Sequence, residues 1–270
     1  MNLHLWVFTA VLALITAASV ELAPKPGRAE TTSAATQTLT ACSAMNRPPM
    51  EFFDDHQRPQ GADIDLGNLI ASRLGMQIKF VNTPFGGLIP ALLAGHCDII
   101  LSQLFIKPPR LQVINEIPYM ASQVSYILKA GAPQLKGPED LSGKKVSSVL
   151  GSTSVDVMKA TNISLEAAHK PPIDIILFAE NTSALQQLQF GRVAAYGVAY
   201  ETALYYANLE PKLFELGCKP FGKILTGIGI RKDRPDLQIK ITTALDKLMK
   251  DGSYQMVFEK WHIEADMLPF

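Results

Sequence analysis

Cysteine, charge and histidine are all scarce in this 270-residue chain, and each scarcity narrows what the protein can be. Three cysteines, Cys42, Cys97 and Cys218, are too few for a disulfide-built scaffold, and the odd count allows at most one internal bridge. Cys42 and Cys97 both precede or lie on apolar strands, so two buried thiols are expected. Charged residues are only 19% of the chain, 25 basic against 25 acidic, with no dense basic run. Phosphate backbones require a concentrated positive face, which argues against nucleic acid as a partner. His4, His56, His96, His169 and His262 are scattered and lack the i, i+4 spacing of a metal-binding helix. His56 and His96 read as solvated turn residues, and neither metal nor organic cofactor is implied. The apolar run Leu5 to Val20 also falls short of the ~20 residues needed to cross a bilayer.

What is present is core material and a targeting pattern. Hydrophobic residues make up 47% of the chain, enough for an ordinary globular core. The Leu5–Val20 run followed by Gly27-Arg28-Ala29 reads as a signal peptide over residues 1–29, with Ser19 as a second cleavage position. An uncleaved anchor is the alternative, because His4 is the sole potentially positive side chain ahead of the run. Residues 30–38, rich in Thr, Ser and Ala, read as a disordered leader. Leu39-Thr40-Ala41-Cys42 imitates a lipoprotein box but lies roughly twenty residues past the apolar run, so it reads as strand.

From there, strand-length apolar runs alternate with helical patterns. Strands are predicted at 40–44, 78–81, 98–102, 124–129, 145–149, 173–178, 195–198 and 227–231. Leu66, Leu69, Ile70 and Leu74 share one helical face, as do Leu237, Ile241, Ala244, Leu245 and Leu248, with Gly252 as a stop. Such alternation means α/β with largely parallel sheets. Pro118-Tyr119-Met120-Ala121-Ser122-Gln123 is expected to interrupt the first α/β unit, and Gly222 to Gly227 to lead back to it.

The most telling stretch is Gly61-Ala62-Asp63-Ile64-Asp65-Leu66, followed by Asn82-Thr83-Pro84-Phe85 and Gly87-Leu88-Ile89-Pro90. Later come Asp140-Leu141-Ser142-Gly143-Lys144, Gly151-Ser152-Thr153, Gly191-Arg192-Val193 and Asp251-Gly252-Ser253-Tyr254. In this order and spacing the chain resembles, from about Leu39 to Trp261, the periplasmic solute-binding proteins of the polar-amino-acid ABC transporter family (bacterial extracellular solute-binding protein family 3). The resemblance implies a two-lobe α/β clamp, each lobe a mostly parallel sheet flanked by helices, with two hinge crossings. Lobe 1 is expected over 39–120 plus 227–270 and lobe 2 over 124–221. It further implies a monomer in the periplasm that closes on a small carboxylate-bearing ligand and presents it to a membrane permease.

By the same resemblance, Arg110, after the turn Lys107-Pro108-Pro109, forks onto the ligand carboxylate, a geometry that suits a planar guanidinium. Ser152 and Thr153 open a helix whose free N–H groups favour an anion, and a plain helix cap is their simpler role. Phe85 takes the position that packs on the ligand body, and Gln103 belongs to the same site. Three positions depart from the family pattern. Ala199 stands where relatives carry an Asp that pairs with the ligand α-ammonium. Phe105 replaces a Thr or Ser, and Arg47 replaces the aromatic ahead of Pro48-Pro49. Glu201 is close in sequence but is expected to point elsewhere. The site thus keeps a carboxylate grip, loses an ammonium grip and gains a cation, so the expected ligand is a carboxylate without a free α-ammonium. A conventional amino acid, with Glu51, Glu201 or main-chain carbonyls as acceptor, is the alternative. A dehydratase on this fold would need an acid/base Glu where Thr202 stands, so an enzyme is not expected. A sensory role before a receptor uses the same closed form and is not separable in the sequence.

Overall fold

The computed structural model describes residues 37–269; the signal peptide and all but the last two residues of the leader assigned above lie outside that span. The strands are β1 (Thr38–Ser43), β2 (Asn46–Arg47), β3 (Glu51–Phe53), β4 (Pro59–Gln60), β5 (Gln77–Asn82), β6 (Ile99–Phe105), β7 (Ile114–Lys129), β8 (Lys145–Val149), β9 (Asp174–Phe178), β10 (Ala195–Ala199), β11 (Phe214–Leu216) and β12 (Phe221–Arg231). The helices are α1 (Ala62–Arg73), α2 (Leu88–Leu93), α3 (Pro108–Leu111), α4 (Thr153–Ala167), α5 (Asn181–Gln189), α6 (Tyr200–Leu209), α7 (Pro235–Lys250) and α8 (Ser253–Lys260). Thr38, placed at the end of the leader, already belongs to β1.

The strands run β5-β1-β6-β12-β7-β10-β8-β9 across one hydrogen-bonded sheet, with β11 added on β7, while β2-β3-β4 form a small separate sheet. The two flanks, β5-β1-β6 and β10-β8-β9, are parallel. Between them β12 and β7 pair antiparallel with each other and with their neighbours. This is a two-lobe α/β clamp whose halves are stitched by two long strands.

Where the first α/β unit was expected to be interrupted, at Pro118–Gln123, β7 runs through as one continuous strand and goes on to pair with β10. Proline has no N–H to donate, so inside a ladder it needs an edge or a bulge. The ladder between β7 and β12 shifts register between Thr226 and Gly227, where Gly227 faces Pro118. That bulge absorbs the proline. A residue that usually breaks a strand here bends one.

The core follows the same division. Leu66, Ile70, Ile228, Ile230, Leu237, Ile241, Leu245 and Leu248 pack with Tyr254 and Phe258 under α1, α7 and α8. Cys42, Phe85, Leu88, Leu92 and Ile100 fill the opposite face. Tyr126, Val146, Val155 and Met158 form one core of the second half, and Ile127, Leu185, Leu188, Tyr196 and Phe214 form the other. All five apolar positions predicted on α7 are buried. Gly252, with φ +82°, separates α7 from α8.

Two local points bear on the site. Gly61 has φ +130°, and a Cβ there would lie 2.1 Å from the Met50 carbonyl oxygen, so α1 can start under Met50 only from glycine. Cys42 and Cys97 are joined in a disulfide, which corrects the expectation of two buried thiols. Thr40 and Asp98, exchanging hydrogen bonds at 2.8, 2.6 and 3.0 Å, bring the loop before β6 against β1 and so bring the sulfurs together. Cys218 is free and buried.

Candidate ligand site

The carboxyl ends of the strands converge, as they do wherever open α/β sheets bind ligands. Gln103 and Phe105 end β6, and the two prolines that follow fix the first turn of α3, which carries Arg110. Phe85 begins the short 3₁₀ turn Phe85–Gly87 after β5. Arg47 comes from β2. Opposite them, Val149 ends β8, Ser152 is the N-cap of α4 and Thr153 its first residue, and β10 ends at Ala199.

A cavity with an empty volume of ≈ 360 Å³ lies at this convergence. Arg47, Phe85, Gln103, Phe105, Ser152, Thr153 and Ala199 line it, so the structure brings together seven of the eight residues selected from sequence. Arg110 does not line it. Its guanidinium is nonetheless buried beside it, with Nη1 donating to the Phe105 carbonyl at 2.7 Å and Nη2 to the Gly151 carbonyl at 3.1 Å. Sequence reasoning missed Asn181, Val149, Gly197 and Val198. Asn181 was legible in principle, since it opens α5 three residues after β9 ends, where a strand-end site would be sought.

The cavity is closed over. Gly151 in the second half meets Arg110 from the first, and Asn181 Nδ2 donates to Asn46 Oδ1 at 2.7 Å. Lys107 pairs with Asp156 across the same gap, and Gln103 Nε2 donates to Glu201 Oε2 at 2.7 Å.

Charge on the lining has one sign. Arg47 is the one ionisable side chain among the lining residues, and its Cζ lies 4.4 Å from the Phe85 ring centroid. The Arg110 Cζ lies 5.6 Å from the same centroid, so one ring face system serves two guanidinium groups. Behind Arg47, Glu51 Oε1 is 3.6 Å from its Nε, and Asp63 accepts from the Tyr119 hydroxyl and the Gln103 N–H, each at 2.7 Å. Burial pushes the Glu51 carboxyl well above its usual range and Asp63 up to about 6, with Arg47 pulling both back. Burial also brings Arg110 down to about 10, opposed by Glu116, whose own carboxyl burial raises to about 7.

The expectation that Glu201 points away from the site needs refinement. It does not line this cavity, but its side chain is buried directly behind Gln103 and accepts from both Gln103 and Ser122. Glu51 stays behind Arg47. The side-chain acceptors on the lining are thus neutral: the hydroxyls of Ser152 and Thr153 and the Gln103 and Asn181 amides. His56 and His96 are exposed, as expected. Among the described residues no His, Cys, Asp and Glu group is arranged to hold a metal ion.

Residues 39–264 match the family described as bacterial extracellular solute-binding proteins, family 3. Over 235 residues the chain is 29% identical to the putative ABC transporter arginine-binding protein 2 of Escherichia coli strain K12, covering 84% of this chain and 91% of that one. Among solved structures it resembles an ancestral arginine-binding protein bound to arginine, with a TM-score of 0.77 and 33% identity over 83% of this chain and 97% of the other. It also resembles the ancestral amino acid-binding protein AncCDT-1, a precursor of cyclohexadienyl dehydratase, with a TM-score of 0.75 and 32% identity over 83% and 95% of the two chains.

Proposed function

This chain belongs to the bacterial extracellular solute-binding proteins of family 3, and from that premise we propose that it is the binding component of an amino-acid-type ABC importer whose ligand is a small carboxylate without a free α-ammonium. The observation that carries the ligand class is the lining itself: Arg47 is its sole charge, and Ala199 occupies the wall where an acidic partner would stand. An ammonium moved from water into such a cavity loses hydration with no counter-charge to replace it, at a cost of several kcal/mol. A carboxylate meets the opposite situation, with Arg110, Arg47 and the N-terminus of α4 all favouring it.

In this reading the first lobe comprises 39–120 and 227–270 and the second 124–221. Ligand docks on the first lobe at Phe85 and Arg110. The second then closes, bringing Ser152 and Thr153 over the carboxylate while β7 and β12 flex near Ala121 and Thr226. Closure follows only from a ligand that touches both lobes, because a ligand indifferent to the two states shifts neither. The closed form is what the permease recognises. The relatives' extracytoplasmic role, together with the Leu5–Val20 run, supports export to the periplasm by a cleavable signal peptide, and the Cys42–Cys97 bridge fits an oxidising compartment.

The test is a thermal-shift screen of matched pairs, each L-amino acid beside its deaminated or N-acylated acid. At 100 times its dissociation constant a true ligand adds about 2.7 kcal/mol of stability. The acids lacking an ammonium are expected to give the larger shifts; larger shifts from the amino acids themselves would reverse the assignment. A second arm uses Ala199→Asp. Restoring a carboxylate beside the cavity should weaken the deaminated acid and strengthen the matched amino acid, moving their affinity ratio by at least tenfold in isothermal titration. An unchanged ratio would mean that this wall does not face the ligand nitrogen.

A further inference from the structure

The Arg47 side chain carries more hydrogen-bond donors than the protein satisfies. The residue is only 6% exposed, yet it lines the cavity, where its guanidinium lies against the Phe85 ring. A guanidinium has five N–H donors in a planar fork. Nη1 makes two long contacts with Gln103, 3.3 Å to Oε1 and 3.5 Å to the main-chain carbonyl. Nε has no hydrogen-bond partner, because Glu51 Oε1 stands 3.6 Å away and accepts from Ser102 instead. Nη2 donates to no acceptor among the described residues. Buried polar groups are nearly always paired, and a charged one short of partners is costly.

The group is nevertheless held in place from behind. Gln103 Nε2 donates to Glu201 Oε2 at 2.7 Å and to Ser122 Oγ at 3.4 Å. Those two acceptors fix which way the carboxamide faces, and its oxygen is left for Arg47. Gln103 is thus a positioning residue for the guanidinium, and the Phe85 ring supports its face. The Arg110 Cζ lies 5.6 Å from the same ring centroid, so the gap between the two guanidinium groups is within the span of one short molecule. No acid lines the cavity to balance either of them.

We infer that Arg47 is a second anion grip and that the ligand is a short dicarboxylate. One carboxylate is held at Arg110 and the start of α4, the proposed reading on which this rests, and the other by the unpartnered Nη2 edge of Arg47. The cavity's empty volume of ≈ 360 Å³ is near the lower end of the ~300–1,000 Å³ usual for ligand sites, which favours a spacer of few carbons. Replacing the second carboxylate by an amide removes the charge-assisted bond and leaves Arg47 a weaker, neutral acceptor.

Four acids of equal length separate the two ends of the ligand: glutarate, its half-amide glutaramate, L-glutamate and L-glutamine. In isothermal titration glutarate is expected to bind at least tenfold more tightly than glutaramate. Succinate, succinamate, L-aspartate and L-asparagine repeat the comparison at a shorter spacing. The double variant Arg47→Gln/Glu51→Gln removes the cation together with the acid behind it, so no charge is stranded. Its diacid-to-half-amide ratio should fall to about one, with the loss falling on the diacid. A structural role for Arg47 would instead weaken both ligands alike and keep the ratio, which would overturn the inference. If that variant does not fold, the wild-type ratios decide. A half-amide that binds as tightly as its diacid at both lengths, or no binding of either diacid at millimolar concentration, would also overturn it. Amino acids that outbind their deaminated partners, with glutamate still at least tenfold tighter than glutamine, would reverse the proposed absence of an ammonium and leave the second grip standing.

Discussion

Arg110→Ala is expected to weaken binding of the cleft ligand by roughly a hundredfold or more while leaving the protein folded, as read by isothermal titration beside a urea melt. Removing the guanidinium half of a desolvated carboxylate pair typically costs 2–5 kcal/mol. Arg110 is buried beside the cavity, and its hydrogen bonds within the protein use two donors, both on main-chain carbonyls, so the proposed anchor draws on its remaining N–H groups. Its loss also leaves little unbalanced charge. Glu116, its principal acidic neighbour, is already raised to about 7 and simply takes up a proton when the guanidinium is gone. Arg47 offers a poorer test, because Glu51 and Asp63 are buried behind it and its removal strands both. Arg47→Ala should therefore lower stability and affinity together, whereas Arg110→Ala should lower affinity with a far smaller change in the melt. Undiminished affinity in Arg110→Ala would remove the carboxylate anchor from the proposed mechanism.

The contrast between these arginines shows what the sequence exposes and what it hides. Ser152 was legible because it answers a local demand, that of a helix N-terminus, whereas Gly61 and Arg110 stood out only through the resemblance. The strands of the flanks were legible because apolar runs of that length have few other uses. Pro118–Gln123 was legible as the place where the first α/β unit is interrupted, but not as the inside of one long strand, because Pro118 is accommodated by a bulge on β7 opposite Thr226 and Gly227, more than a hundred residues away in the chain. Asn181 escaped notice, and Glu51, Asp63 and Glu201 were noticed without their surroundings, for a related reason. Nothing near Glu51, Asp63 or Glu201 in sequence says that they are buried, and their meaning comes from Arg47, Tyr119, Gln103 and Asp266, which tertiary packing brings to them. Gln103 is the clearest case. It adopts φ +43°, a region few residues enter, and in doing so links Arg47 at the cavity to Glu201 behind it. Local chemistry marks where a ligand is gripped, and packing decides which charges it finds there.

The Cys42–Cys97 bridge should be the largest single covalent contribution to stability. It spans a sequence separation of 55 residues, and closing a loop of that size in the unfolded chain corresponds to about 4 kcal/mol in the chain-entropy treatment. The native state has little reason to move when the bridge is cut. Thr40 and Asp98 still hold the loop against β1, and both cysteines sit in the core beside Phe85, Leu88 and Leu92, where two small apolar side chains fit. The double variant Cys42→Ala/Cys97→Ala is therefore expected to fold to the same structure and to melt about 8–16 °C lower, given 2–4 °C per kcal/mol at this chain size. Dithiothreitol should bring the wild-type melt down to a similar extent and leave the double variant unmoved. That second comparison isolates the bridge from the lost side-chain packing, because a reductant changes no volume in the core. If the wild type melts identically with and without reductant, the cysteines are the two buried thiols that their sequence context suggested, and the wall behind Phe85 is held by packing alone.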